Sequence, residues 1–154
     1  MRRSCVVAVV IAAVGIGSAL EVAAQQRKPE DNIKMRQAAF TVMSWNFGVL
    51  AAMAKGQRPY DQAEAVKRAE TVALASHLPF EGFPKGSESG LDTRALPEVW
   101  SDPDKFKSNQ ERLQSETAKL VQAAKSGDPG QLKSQVGATA KACSNCHDDF
   151  RRKK

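Results

Sequence analysis

The stretch DPGQLKSQVGATAKACSNCHDDF, residues 128–150, determines how the whole chain is interpreted. Asp128 and Pro129 are a typical helix start, a capping residue followed by proline in the first turn. Apolar residues then recur at helical spacing to the end of the stretch, and the basic residues after it suit the negative end of a helix dipole. The last two turns contain the spacing CxxCH, at Cys143, Cys146 and His147. The sequence therefore predicts a long helix with a chemically distinctive C-terminal end.

CxxCH is the signature of c-type haem attachment. On a helix Cys143, Cys146 and His147 fall within roughly 100° of arc, so two thiols can reach the two vinyl groups while the imidazole meets the iron. Leu132 and Phe150 share that arc, so the face that meets the haem is also the buried face. We therefore expect one haem c per chain, covalently bound through two thioethers, with His147 as the axial ligand of the iron.

Two other readings of the cluster fit less well. A CxxC redox pair normally has its reactive cysteine at a helix N-terminus in a βαβ unit, whereas this pair lies near the C-terminal end of a helix. A structural zinc site would need a fourth ligand, which only His77 or a carboxylate could supply. Haem attachment remains the interpretation that uses every residue of the motif.

The N-terminus resembles an export signal. Two arginines precede an apolar run over residues 5–20, and small residues follow up to Ala24. The run is shorter than the roughly 20 apolar residues that span a bilayer, although a retained membrane anchor is the alternative. We predict a signal peptide over 1–24 that is cleaved, no stable membrane anchor afterwards, and an exported mature protein over 25–154.

The mature chain has the size of one domain. Loss of the signal lowers the basic count from 23 to 21 and the acidic count from 17 to 16, which leaves a net charge of +5. Cys5 leaves with the signal, so long-range disulfides are excluded. The basic residues are scattered except at 151–154, so nucleic acid is not an expected partner. The basic residues of that tail either stabilise the negative end of the last helix dipole or form a docking patch for an acidic partner.

Glycine and proline divide the mature chain into four helical stretches, at about 29–55, 60–78, 103–125 and 128–150. Because the first and third links are short, the helices that they join should be antiparallel neighbours. The middle link, 79–100, is long enough to be either an ordered crossover or a functional loop. Its apolar anchors would be Phe80, Phe83, Leu91 and Trp100. The sequence predicts an all-α antiparallel four-helix bundle.

Several motifs resemble those of the cytochrome c prime family, the class II c-type cytochromes. They are KPED (28–31) with MRQ (35–37), KGQRPYD (55–61), PEVWSD (97–102) and CSNCHDDFR (143–151). The resemblance covers essentially the whole mature chain. One departure is the stretch 93–97, which looks longer than the family's usual run into its Pro-Glu-x-Trp motif.

The resemblance implies roles for particular residues. His147 would be the proximal ligand with Arg151 beside it, Phe40 would shield the distal face, and Arg36 would lie near the haem propionates. Proteins of this family have a five-coordinate, mostly high-spin iron that binds nitric oxide and carbon monoxide and discriminates against dioxygen. They are usually periplasmic homodimers built on the first two helices.

Helix geometry is consistent with Phe40 on the distal side. Phe40 and His147 lie at similar depth in an antiparallel bundle. Met43 shares the stripe of Phe40 about 4.5 Å deeper and is the credible rival ligand, whereas Met35 points about 140° away. His77 falls at the same end of the bundle, although a lone histidine there is more often a surface group.

Two functions fit such a site. An open axial position favours a binding protein for nitric oxide and carbon monoxide that can also transfer electrons. A strong-field sixth ligand such as Met43 favours a dedicated electron-transfer cytochrome with low-spin haem, whose redox partner the sequence does not identify. A peroxidase is less consistent with the residues, because Phe40 can neither donate nor accept a proton. We therefore expect no enzyme activity and no catalytic residue, with peroxidase-like or nitric-oxide-reducing activity as the weaker alternative.

The first helix has a second apolar face in addition to the one that carries Phe40. Its members are Ala38, Val42, Trp45 and Val49. A helix with one solvent-exposed side needs only one apolar face. The second apolar face must therefore be covered by the next helix or by another subunit. We expect a homodimer through the first two helices with Trp45 at the interface, the alternative being that Trp45 packs inside its own bundle.

Overall fold

The structure is a computed structural model that describes residues 27–153. The predicted signal peptide, 1–24, lies outside the described residues. Within 27–153 the secondary structure is helical, and the only β-type pairing is a single antiparallel bridge between Ala95 and Arg151. No helix in this part of the chain is both long enough and apolar enough to cross a membrane.

Four long helices form the bundle. They are α1 (Pro29–Ala54), α2 (Gln62–Ala75), α4 (Pro103–Lys125) and α5 (Pro129–Phe150), with the short α3 (Glu98–Ser101) before α4. α1 packs against α2 and α5, and α4 packs against the same two helices. The predicted antiparallel four-helix bundle is therefore confirmed.

Aspartates fix the starts of three of these helices. The carboxylates of Asp61, Asp102 and Asp128 each accept a hydrogen bond from a first-turn backbone N–H, at 2.8, 3.3 and 2.7 Å. Pro103 and Pro129 follow two of these caps, where their missing N–H has no helical partner to lose. The predicted starts of α4 and α5 are confirmed.

The predicted end of the second helix is wrong by three residues. α2 ends at Ala75 rather than at Leu78. Pro79 cannot donate to the carbonyl of Ala75, and its ring would collide with that carbonyl if the helix continued. The hydroxyl of Ser76 donates to the Ala73 carbonyl at 2.7 Å, and a 3₁₀ helix over Leu78–Gly82 follows.

The long link, which we call the crossover (residues 79–97), is ordered and packs against the bundle. Phe80 and Phe83 lie partly buried against other aromatic rings, and the indole N–H of Trp100 in α3 donates to the Phe83 carbonyl at 3.1 Å. Leu91 is 39% exposed, so its prediction as an anchor is wrong. α3 was not predicted either.

Small residues allow the helices to pack closely in the half of the bundle near the α1–α2 link. Ala65, Ala69 and Ala124 are fully buried there beside Leu50 and Leu120. Toward the other end, the helices and the crossover enclose a cavity.

Candidate haem site

The main cavity has a volume of about 510 Å³ and lies between α1, the crossover, α4 and α5. This is in the range of roughly 300–1,000 Å³ that is typical of cofactor sites. All six predicted site residues line it: Arg36, Phe40, Cys143, Cys146, His147 and Arg151. The structure therefore brings together residues that are as far apart as 115 positions in the sequence.

Cys143 and Cys146 are partly buried, and neither is in a disulfide. Burial raises the pKa of the Cys143 thiol. Burial, together with Cys143 and Asp149, raises the pKa of Cys146 to about 11. A reactive redox cysteine needs the thiolate form, which this environment disfavours, so the raised pKa values argue against a redox pair. Within residues 27–153 no group of three or more His, Cys, Asp or Glu side chains is arranged to hold a metal ion, which argues against a zinc site.

His147 is exposed to the cavity, while the protein on its other sides still desolvates the ring. This burial lowers the pKa of His147, and the nearby charges of Arg151 and Arg94 lower it further. The neutral imidazole that results is the form that binds iron. The helix ends just beyond it, where the N–H of Arg151 donates to the His147 carbonyl at 3.1 Å.

The C-terminal tail pairs with the crossover beside His147. Ala95 and Arg151 form the antiparallel bridge, and the N–H of Arg152 donates to the Arg94 carbonyl at 2.8 Å. The Arg94 guanidinium also donates through Nε to the Arg152 carbonyl at 2.9 Å. The stretch 93–97 that looks long in sequence is the segment that makes this pairing. Arg94 lines the cavity, and no motif or periodicity singled it out.

Arg36 is only 2% exposed, and its guanidinium is held by the crossover. It donates to the Gly82 carbonyl at 2.7 Å and to the carbonyl and hydroxyl of Ser87, both at 3.0 Å. Its other terminal nitrogen donates to the Thr93 hydroxyl at 3.0 Å. Burial lowers the pKa of Arg36, and the charge of Glu88 opposes that shift. No carboxylate among residues 27–153 lies within ion-pair distance of it.

One side of the cavity is an aromatic cluster drawn from five segments of the chain. Its members are Phe40, Phe80, Phe83, Trp100, Phe106 and Phe150. Phe40 meets Phe80 and Phe83 edge to face, with ring centroids 6.3 and 6.5 Å apart. Phe83 in turn meets Phe106 at 5.1 Å. Sequence reasoning missed Phe106, because no periodicity relates it to the crossover.

The candidate sixth ligands separate clearly. Met43 is 7% exposed and lines the cavity together with Phe40. His77 is exposed, and neither it nor Met35 is among the residues that line the cavity. Among the three rivals that the sequence offered, Met43 alone faces the site.

A CxxCH motif on the last helix of an antiparallel bundle, facing a cofactor-sized cavity, defines a c-type haem protein of the four-helix-bundle class. The family described as Cytochrome C' matches residues 31–151. The chain belongs to the cytochrome c prime family, and its cofactor is covalently bound haem c.

Individual relatives agree with this assignment. A cytochrome c prime from Halomonas halodenitrificans is 42% identical over 129 residues, which cover 80% of this chain and 98% of that protein. The crystal structure of cytochrome c prime from Rubrivivax gelatinosus matches with a TM-score of 0.79 at 41% identity, over 82% of this chain and 98% of that one. A nitric oxide complex of a variant of cytochrome c prime from Alcaligenes xylosoxidans matches with a TM-score of 0.77 at 40% identity, over the same shares.

Proposed function

We propose that this protein is a periplasmic binding protein for nitric oxide and carbon monoxide with a five-coordinate, largely high-spin haem. Cys143 and Cys146 would form the two thioethers, and His147 would be the protein ligand of the iron. The observation that carries the proposal is that Phe40, a side chain that cannot coordinate iron, lines the same cavity as His147 and lies at a similar depth in the bundle, whereas Met43 lies about 4.5 Å farther along α1. The nitric oxide complex of the Alcaligenes xylosoxidans relative supports the choice of ligand.

The haem iron, when bound, supplies the open coordination position at which a diatomic gas binds. The protein's own contribution is steric and electrostatic. Phe40 offers no hydrogen-bond donor, so a ligand that depends on such a donor gains nothing there, and any ligand must displace the ring. Phe40 is packed against Phe80 and Phe83, which oppose its movement toward the crossover. Among the described residues that line the cavity, His147 is the only histidine and none is an aspartate or glutamate, so we propose binding rather than catalysis.

Arg36 and Arg151 would have different roles toward the haem, Arg36 near the propionates and Arg151 beside the axial ligand His147. A buried guanidinium without a carboxylate partner is costly unless an anion lies nearby. Arg36 has this environment in the cavity wall, which supports the proposal that it lies near the anionic propionates. Arg151 lies beside His147 and, with Arg94, favours the neutral imidazole.

The test is the rate of carbon monoxide binding to the ferrous mature protein and its Phe40→Ala variant, measured by flash photolysis or stopped flow. If the ring lies over the iron, its removal should accelerate association and raise affinity. Phe47→Ala is the matched control, because Phe47 lines the same cavity but lies about 10 Å farther along α1 than Phe40, away from the level of His147. It should leave the association rate nearly unchanged. Equal rates for Phe40→Ala and the parent protein would mean that the ring is not over the iron.

A second function is favoured by the position of Met43. Since Met43 is buried in the cavity wall, its thioether could bind the iron and make a six-coordinate low-spin haem suited to electron transfer. The exposed basic tail at 151–153 would then offer a docking patch for an acidic redox partner. The optical spectrum distinguishes the two functions.

A further inference from the structure

Ser87 is a fully buried serine in the middle of the crossover. Its exposed fraction is 0%, which is unusual for a hydroxyl in a loop. The hydroxyl donates to the Pro84 carbonyl at 2.7 Å and accepts a hydrogen bond from the Arg36 guanidinium at 3.0 Å. Ser87 therefore joins the middle of the crossover to a charged group on α1.

Arg36 connects this contact to the aromatic cluster. Its guanidinium carbon lies 4.5 Å from the centre of the Phe83 ring, in a cation–π arrangement. The ring of Phe83 has its centroid 6.5 Å from that of Phe40 and 5.1 Å from that of Phe106. The guanidinium therefore contacts both the Ser87 hydroxyl and the Phe83 ring, which packs against Phe40.

The backbone approaches α1 closely at the same place. A Cβ on Gly82 would lie 2.7 Å from the Cβ of Arg36 and 2.8 Å from the Asn32 carbonyl oxygen. The Gly82 carbonyl accepts the shortest of the Arg36 hydrogen bonds, at 2.7 Å. The crossover therefore has little freedom to shift against α1 while these contacts persist.

We propose that Ser87 is a positioning residue that, through Arg36 and Phe83, sets how readily an incoming gas displaces Phe40 from the iron. The proposal rests on the proposed function, since it assumes that Phe40 covers the haem. Ser87 does not touch the ligand. Its hydroxyl holds the Arg36 guanidinium that supports Phe83. Loss of this hydrogen bond therefore lets Phe83, and then Phe40, move more easily.

Ser87→Ala is a cleaner test than any change at Arg36, because it removes one oxygen atom and leaves the Arg36 side chain itself intact. Ser89→Ala is the matched control, an exposed serine on the same loop. Thr93→Val provides a second variant, since it removes the other hydroxyl that accepts from Arg36. All variants are compared as haem-loaded mature protein.

Two readouts are measured on each variant. In Ser87→Ala, amide hydrogen exchange over residues 81–90 should become faster by about tenfold, the size expected for the loss of a hydrogen bond to a charged group. Carbon monoxide association should rise by roughly threefold, since only part of this loosening reaches the ring. Thr93→Val should act in the same direction, and Ser89→Ala should change neither quantity.

A double-mutant cycle with Phe40→Ala tests the route of the effect. If Ser87 acts through the ring, Ser87→Ala should add no acceleration once Phe40 is alanine. Three results would each overturn the positioning role. The first is an unchanged amide exchange rate in Ser87→Ala, and the second is an unchanged carbon monoxide association rate despite faster exchange. The third is that Ser87→Ala accelerates association equally in the Phe40→Ala background. If Phe40→Ala itself leaves association unchanged, the proposed function fails and this inference fails with it. If Phe40→Ala accelerates association and Ser87→Ala does not, the inference alone fails.

Discussion

Trp45 is the most exposed large apolar side chain among the described residues, and it is expected to anchor a two-fold interface. It is 73% exposed on α1, with Val42 48% exposed one turn earlier. Leu74 on α2 is 71% exposed. Val42 and Leu74 lie equally far along their antiparallel helices from the α1–α2 link, so they stand at the same level of the bundle. We propose that these residues form one apolar surface that a second copy of the chain covers.

The exposed area gives the size of the expected effect. A tryptophan can bury about 250 Å², so 73% exposure leaves roughly 180 Å² to be covered. At about 25 cal/mol per Å² this is an upper bound near 4.5 kcal/mol per subunit. Association also costs ordering, so a hot-spot value of about 2 kcal/mol per subunit is more realistic. In a two-fold dimer both subunits carry the substitution. Trp45→Glu should therefore weaken dimerisation by about 4 kcal/mol, which raises Kd roughly 10³-fold.

Sedimentation of the mature haem protein at micromolar concentration measures this directly. The parent should sediment as a dimer and Trp45→Glu as a folded monomer. Leu91→Glu is the matched control, because Leu91 is an exposed leucine on the crossover rather than on α1 or α2, and it should leave the dimer intact. A monomeric parent, or a folded Trp45→Glu protein that stays dimeric, would refute the assignment.

Two further predictions concern stability. Gly82→Ala should lower the free energy of unfolding by about 1–3 kcal/mol in denaturant titrations, because its Cβ would lie 2.7 Å from that of Arg36. Gly48→Ala, where nothing lies within 4 Å of the added Cβ, should instead raise it by about 0.5–1 kcal/mol; equal effects at both sites would contradict the close-approach argument. A hydrogen bond from Lys119, and then one from Gln135, lowers the pKa of Glu116 below its unfolded value. The ionised Glu116 carboxylate therefore stabilises the folded protein above about pH 4.3, and this stabilisation is lost as the pH falls through the folded pKa. The difference in free energy of unfolding between the parent and Glu116→Gln should therefore shrink on acidification. A difference that is unchanged at about pH 2 would show that the hydrogen-bonded carboxylate is not its source.

The parts of the structure that the sequence predicted well are those set by local chemistry. The Asp128 cap and Pro129 located the start of α5, and the glycines and prolines between the helical stretches separated the long helices, because each acts within about one turn of itself. Cys143, Cys146 and His147 were identifiable because the haem chemistry needs all three within a single stretch of helix. Helical depth was enough to place Phe40 and Met43 in the same cavity.

The parts that were missed depend on the path of the crossover. Ser87, Arg94 and Phe106 reach the cavity wall or its supports only because the chain between α2 and α4 folds back onto α1 and the tail. No periodicity or spacing relates these residues to α5. The end of α2 was misplaced for a different reason, since the effect of Pro79 acts four residues before the proline itself.

We propose a five-coordinate haem held by Cys143, Cys146 and His147 under Phe40, and the optical spectrum of the ferrous mature protein reports this coordination. A five-coordinate, high-spin iron should give the broad spectrum of a haem without a strong-field sixth ligand. The Met43→Ala variant should give the same spectrum as the parent. A sharp low-spin α band in the parent that disappears in Met43→Ala would show that the iron is six-coordinate and that Met43 is the sixth ligand.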